Sequence, residues 1–383
     1  MCKSIALLSG KGGSGKTTIA ISMASLLSKY DIKVLLIDCD MSTNGATYFY
    51  ENRLIEAKKK YCSFYDLLFS QRKDTIIPIP IAPNFDFIPS VTDINKGTMN
   101  SYKYHDNEFV NTYSMLCEKY DVIVFDCQAG YSDVLKLILP NIDTYLVVME
   151  PDGISSTAIR VLYLRIGNLI NDKRIYQIFN KATEEEYKIY SKVSGGTVFL
   201  NIETVLFDWK IRKAFNEAKT PDIKNTSVTF GKQLWQICSV LFPENSIQLK
   251  LKRFERDLIL KENAEKERII KEKIVKLKSK KRSNYRFNKT VLASIPFVFA
   301  LVFLVIALFV FPDLFSTRAQ AIIVPIISLS ISFVLALTSF VDYLTEKKET
   351  SELFSMYQDE LQDLLAKKHA IKREMSNYTK EQV

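Results

Sequence analysis

Histidine and tryptophan are nearly absent from this chain of 383 residues, with two of each. His105 has no ligand-type side chain at metal-binding spacing, so it reads as a surface residue. The six cysteines (Cys2, Cys39, Cys62, Cys117, Cys127 and Cys238) include no C-x-x-C pair. That excludes a disulfide framework or structural zinc site and fits a reducing compartment. No signal peptide is visible, because the first apolar run leads straight into a Gly-rich loop. Residues 246–282 lack Gly and Pro altogether, and 291–311 and 321–341 lack any charge.

The net charge of +9 is unevenly spread. Residues 1–248 hold 28 Lys and Arg against 27 Asp and Glu, whereas 249–383 hold 24 against 16. A near-neutral first part disfavours non-specific DNA binding, which rests on clustered cations, although DNA remains a possible partner.

What is present centres on Gly10-Lys11-Gly12-Gly13-Ser14-Gly15-Lys16-Thr17-Thr18. A buried strand (Ser4 to Ser9) precedes it and an amphipathic helix (Ile19 to Tyr30) follows, the context that makes GxxxxGK[ST] a phosphate loop. Backbone N–H groups of Gly12, Gly13, Ser14 and Gly15 would surround the phosphates. Lys16 would reach their oxygens, Thr17 would offer a hydroxyl to Mg²⁺, and the helix N-terminus would add its positive end. Two more apolar strands end in carboxylates: Lys33 to Ile37 with Asp38 and Asp40, and Val122 to Phe125 with Asp126, followed by Gly130. In a parallel sheet such ends share one edge. Asp126 would hold magnesium, Gly130 would present its N–H to a γ-phosphate, and Asp40 would orient water. Further strands at 85–89, 145–150, 174–180 and 204–207 alternate with helices. The expected fold is therefore α/β, a doubly wound and mostly parallel sheet.

Beyond Pro243, residues 246–282 predict a long charged helix, with apolar positions Leu251, Phe254, Leu258, Ile270, Ile274 and Leu277 suggesting coiled-coil seams. The uncharged runs 291–311 and 321–341 are each long enough to cross a bilayer. Their flanks carry seven Lys and Arg between 276 and 289, which places both ends of a transmembrane hairpin in the cytoplasm. The expected organisation is an ATPase domain at 1–245, a helical stalk at 246–289, a hairpin at 290–342 and a helical cytoplasmic tail at 343–383. The location is then a two-pass inner-membrane protein. Tail positions Tyr357, Leu361, Leu364, Ile371 and Met375 suggest pairing with the stalk, with dimerisation through the tail as the rival.

The motif Lys11 to Thr18 resembles the deviant Walker A motif of the ParA/MinD family of P-loop ATPases. Val34 to Asp40, Asp126-Cys127-Gln128-Ala129-Gly130, Glu150-Pro151 with Ser155-Ser156, and Leu206 to Pro221 resemble its later motifs in order. The resemblance covers about 1–242. It implies ATP and Mg²⁺ as cofactors, ATP hydrolysis, and a homodimer sandwiching ATP, with Lys11 crossing to the partner's nucleotide. It also implies that Asp40 supports hydrolysis, that Asp38 lies near the metal and that Asn180 contacts adenine. Gln128 stands where proline is usual, and a stalk with a hairpin replaces the family's short amphipathic tail. The function so implied is a membrane-anchored ATPase switch that recruits or positions an unidentified protein. The alternatives are a tyrosine-kinase-like P-loop protein, although the tail lacks a tyrosine cluster, and a membrane scaffold with a structural nucleotide site.

Overall fold

The computed structural model describes residues 2–58, 60–69, 76–92, 106–170, 173, 175–193, 198–221, 226–309 and 318–381. Within these, few side chains are described between 280 and 346, and none for 106–108 or 374–381. The Tyr- and Asn-rich stretch from Ser90 to His105 has no clear period, which suggests a surface loop, and its residues 93 to 105 lie outside the described residues. The chain divides into two compact units, Met1–Ile259 and Leu260–Val383.

The first unit, the head, runs β1 (Lys3–Leu8), α1 (Lys16–Lys29), β2 (Val34–Asp38), α2 (Gly45–Phe49), α3 (Glu51–Glu56) and α4 (Phe64–Phe69). It continues β3 (Ile79–Ala82), β4 (Phe85–Ile88), α5 (Asp106–Lys119), β5 (Val122–Asp126), α6 (Asp133–Ile138) and β6 (Thr144–Met149). Then come α7 (Gly153–Ile170), β7 (Ile175–Ala182), α8 (Glu184–Tyr190), β8 (Phe199–Leu206), α9 (Trp209–Asn216) and α10 (Val228–Leu241). The strands form one sheet in the order β3-β4-β2-β5-β1-β6-β7-β8. Every pairing is parallel except β3 with β4 at the edge. Pro80 sits on that edge strand, where its missing N–H costs little.

The central strands are apolar throughout because both faces are covered. Ile5, Leu7, Val34, Leu36, Val122 and Val124 pack into the core that also contains α1 and α10. Their neighbours Ala6, Leu8, Leu35, Ile37, Ile123 and Phe125 pack on the other face with α4 to α7. The strand order reverses around β1, and a ligand crevice opens at the carboxyl ends on either side of such a reversal.

A long helix, α11 (Asn245–Phe309), begins inside the head. Its residues Ile247, Leu251, Phe254 and Leu258 are buried against Tyr30, Leu26 and Trp235 of α1 and α10. Three of these four were expected to form a coiled-coil seam. Their helical spacing is real, but the surface they cover is the head's own. Tyr30 donates to Asp257 at 2.8 Å, and Arg253 pairs with Asp31 at 2.8 Å, which fixes the docked turn at its polar edges.

In the second unit, α11 runs beside α12 (Arg318–Glu381). Lys368 pairs with Glu267 at 3.0 Å, Lys273 lies over the Tyr357 ring at 5.0 Å, and Lys278 lies over Phe354 at 5.5 Å. Contacts move down one helix as they move up the other, so the two are antiparallel. Asn263, Ile270 and Leu364 are buried in this seam. Among the described residues no helix contains an 18-residue stretch apolar enough to cross a membrane. Residues 291–309 of the first expected span, whose last two residues lie outside the described residues, and the second expected span 321–341 belong to two helices that run on well past them at their charged ends. The two-pass inner-membrane reading is therefore corrected.

Candidate functional site

β1 delivers Ser9 to Gly15 as a loop, and α1 begins at Lys16. Gly15 has φ +88°, and a Cβ there would lie 2.3 Å from Asn180 Nδ2. A Cβ on Gly10 would lie 2.5 Å from the backbone carbonyl carbon of Ala158 in α7. The loop is thus wedged between the end of β7 and the first turns of α7, with space for hydrogen only. Asn180 Nδ2 donates to the Ser14 carbonyl at 2.8 Å, and the neighbouring Lys181 donates to the Gly13 carbonyl. These bonds turn the loop's carbonyls outward, and N–H groups are what a phosphate needs.

Lys16 is buried, its ammonium 3.3 Å from Asp126 Oδ1. Burial opposes its charge, but Asp126, with help from Cys127 and Asp40, outweighs this and raises its affinity for a proton. Asp38 and Asp126 are register neighbours on β2 and β5, both fully buried. Asp38 accepts from the Thr47 N–H at 2.8 Å, the Thr47 hydroxyl at 2.7 Å and the Asp40 N–H at 3.0 Å. Burial, and then the adjacent Asp126 charge, push the Asp38 carboxyl up, against the pull of those bonds. Asp126 is pushed up by burial as well, with Lys16 and the Thr17 hydroxyl opposing.

Two buried carboxyl groups thus face one ammonium, and Asp126 Oδ2 is buried with no hydrogen bond of good geometry. An orphaned carboxylate oxygen is costly unless something binds it. A hard dication answers that need. Thr17, Asp126 and Asp38 offer oxygen ligands of the type Mg²⁺ takes alongside substrate phosphates. Among the described residues no group of three His, Cys, Asp or Glu is placed to hold a metal by itself.

Asp40 accepts four bonds, from the N–H and hydroxyl of both Ser42 and Thr43, between 2.6 and 3.1 Å. Burial pushes its carboxyl up, but those bonds and Lys16 outweigh it, and the group stays ionised. Lys11 is more exposed and pairs with Glu150 and Asp152, each at 3.0 Å. Asp152 also caps α7, accepting from the Ser155 N–H at 2.7 Å and hydroxyl at 2.8 Å.

The structure therefore gathers Lys16, Thr17, Asp38, Asp40 and Asp126 at one edge, beside Gly12 to Gly15, with Thr18 in the first turn of α1. Two expected residues are differently engaged. The Gly130 N–H donates to the Ser9 carbonyl at 2.8 Å, and Asn180 braces the loop from outside. Sequence reasoning missed Lys181, which bonds Glu150 at 3.0 Å, as well as Asp152 and Thr47. A cation directly after Asn180 at a strand end was the available signal for Lys181. Thr47 had none, being nine residues from its carboxylate.

A family profile described as an AAA domain matches residues 2–178. An uncharacterized ATP-binding protein of Methanocaldococcus jannaschii is 25% identical over 189 residues, which is 48% of this chain and 67% of that protein. A putative septum site-determining protein MinD of Guillardia theta is 24% identical over 205 residues, 52% of this chain and 71% of the other. The head's fold is also that of solved proteins. A putative plasmid partition protein of Borrelia burgdorferi, solved bound to AMPPNP, superposes with a TM-score of 0.54 at 22% identity, covering 63% of this chain and 99% of that one. A chain of the MinC:MinD cell division protein complex of Aquifex aeolicus gives 0.50 at 18% identity, covering 64% and 97%. The matched region, residues 2–178, lies within the first compact unit.

Proposed function

We propose that this protein is an ATP-driven switch whose head binds and hydrolyses MgATP and dimerises around the nucleotide to recruit or position a partner protein. The observation that carries the reading is the buried Asp38–Asp126 pair with its orphaned oxygen, set against Lys16 and Thr17 at the mouth of a phosphate loop. Phosphoryl transfer to water asks the protein chiefly for positioning and charge stabilisation. The loop N–H groups and Lys16 would bear the phosphate charge, while Thr17, Asp38 and Asp126 would hold the magnesium. Asp40, ionised and fixed by Ser42 and Thr43, would accept a hydrogen bond from the attacking water. Lys11 would leave Glu150 and Asp152 to reach the nucleotide of the second protomer.

The test is ATP turnover and oligomeric mass of the full chain, as wild type, Asp40→Ala and Lys11→Ala. Slow turnover by the wild type, an ATP-bound dimer accumulated by Asp40→Ala, and loss of that dimer when Lys11→Ala is added support the switch. Failure of the wild type to bind ATP refutes it and favours a structural role for the site.

A further inference from the structure

A second cavity lies at the other end of α1, about 580 Å³ in volume. Lys29 near the helix C-terminus and Phe85 at the start of β4 both line it, so it sits at the edge of the sheet opposite the phosphate loop. Thirteen residues separate Lys16 from Lys29, which at ~1.5 Å per residue puts it roughly 20 Å from the phosphates. A volume of this order suits a small organic ligand.

The lining chemistry is specific. Phe49 offers ring surface and Ile81 an aliphatic one, while Phe85 is fully buried behind them, and Lys29 and Arg53 offer positive charge. Asp31 also reaches the cavity, but Arg253 holds its carboxylate at 2.8 Å. Arg53 pairs with Glu56 at 3.1 Å, in an exposed pair one turn along α3. Tyr50 is buried, its hydroxyl makes no hydrogen bond of good geometry, and Thr220 is its polar neighbour. A buried hydroxyl without an acceptor is an unmet donor, and the cavity it borders is where an acceptor can come from.

α2 ties this cavity to the nucleotide edge. At one end Gly45 packs on Thr17, where a Cβ would approach the hydroxyl to 3.2 Å. In its middle Thr47 donates twice to Asp38. At its other end stand Phe49 and Tyr50. Five residues thus join the metal-side carboxylate to the wall of the second cavity, and one turn of helix has no slack to absorb a displacement.

We propose that this cavity is an effector site for a small organic anion with a flat apolar body. The anionic group is received by Arg53, Lys29 and the Tyr50 hydroxyl, and the body by Phe49 and Ile81. Occupancy changes how Thr47 holds Asp38, and so changes affinity for MgATP; this last step rests on the nucleotide reading above.

The probe is anilinonaphthalene sulfonate, a fluorescent aromatic anion, titrated into the folded full chain without nucleotide. Saturable binding to one site is expected, weakened about tenfold by Arg53→Gln and abolished by Ala82→Trp, which fills the cavity from the edge strand β3. Near-ultraviolet circular dichroism of both variants confirms that they fold. Binding that neither variant changes places the probe elsewhere and overturns the site, as does absence of binding. The titration is then repeated with saturating Mg-AMPPNP. A shift of about fivefold in probe affinity is expected for sites coupled at ordinary strength, and the coupling must be reciprocal. If AMPPNP binds and the probe affinity stays the same, the site stands and the effector role falls. If AMPPNP fails to bind, the nucleotide reading has failed and the first titration still decides the cavity.

Discussion

Replacing Phe254 by Ala tests the docking of α11 on the head most sharply. Phe254 is 1% exposed, and its ring lies 5.4 Å from Tyr30 at a tilt of 48°. A buried Phe→Ala change costs ~3–5 kcal/mol, including the cavity left behind. Part of that is the aromatic pairing, worth ~0.5–1.5 kcal/mol beyond area. With a urea slope of about 3 kcal/mol/M, the midpoint of head unfolding falls by roughly 1–1.7 M. Trp235 packs against the same cluster, so its fluorescence, read in a Trp209→Phe background, follows the head alone. Ile274→Ala, in the second unit, serves as the control and leaves this midpoint in place. If Phe254→Ala left the midpoint unchanged and altered oligomeric mass instead, the residue would be an inter-chain seam and the docking argument would fail.

Gly15→Ala places a methyl group where Asn180 Nδ2 stands, and is expected to abolish ATP binding with the far-ultraviolet spectrum unchanged; Gly15→Ala with wild-type affinity would refute the wedge. Lys16→Met removes the ammonium facing Asp126, and losing one partner of a buried pair costs ~3–5 kcal/mol, read as a lowered unfolding midpoint together with lost nucleotide affinity. Asp152→Ala removes a helix cap and costs ~1 kcal/mol at neutral pH. The Ser155 N–H, and then Lys11, hold Asp152 down to about 2, so its stabilisation is present above the unfolded value of ~3.9 and is lost as pH falls toward 2. In the Ala variant the acid limb of stability between those values flattens, and an unchanged limb would refute the assignment. Reversing one charge of the Glu267–Lys368 pair is expected to lower the thermal midpoint of the helix signal, and reversing both to restore it; failure of the double variant to recover would argue against the antiparallel seam.

Much of the head was legible because its strands are apolar runs ended by chemistry. Ser4 to Ser9, Lys33 to Asp40 and Val122 to Asp126 each declared a buried strand and a site residue together. β3 did not, being four residues with a proline, and α5 was hidden behind a stretch without periodicity. The misreading of Leu251, Phe254 and Leu258 has a different origin. Helical spacing reveals that a face is apolar but not which surface covers it, and here part of the cover, Leu26 and Tyr30, comes from more than two hundred positions earlier in the chain. At the site, the ligand-type residues were readable from their strand ends. The bracing of the loop by Asn180 and Lys181 was not, because β7 meets the loop only in three dimensions.

The docked start of α11 also bears on how the head comes into being during synthesis. β1 sits in the middle of the sheet, yet its two neighbours, β5 and β6, are made more than a hundred residues after it. Phe254 and Leu258, which close the surface over Tyr30 and Trp235, are made later still. The growing polypeptide therefore carries an open apolar patch over Tyr30 and Trp235 until residue 259 has left the ribosome, well after the sheet itself can close.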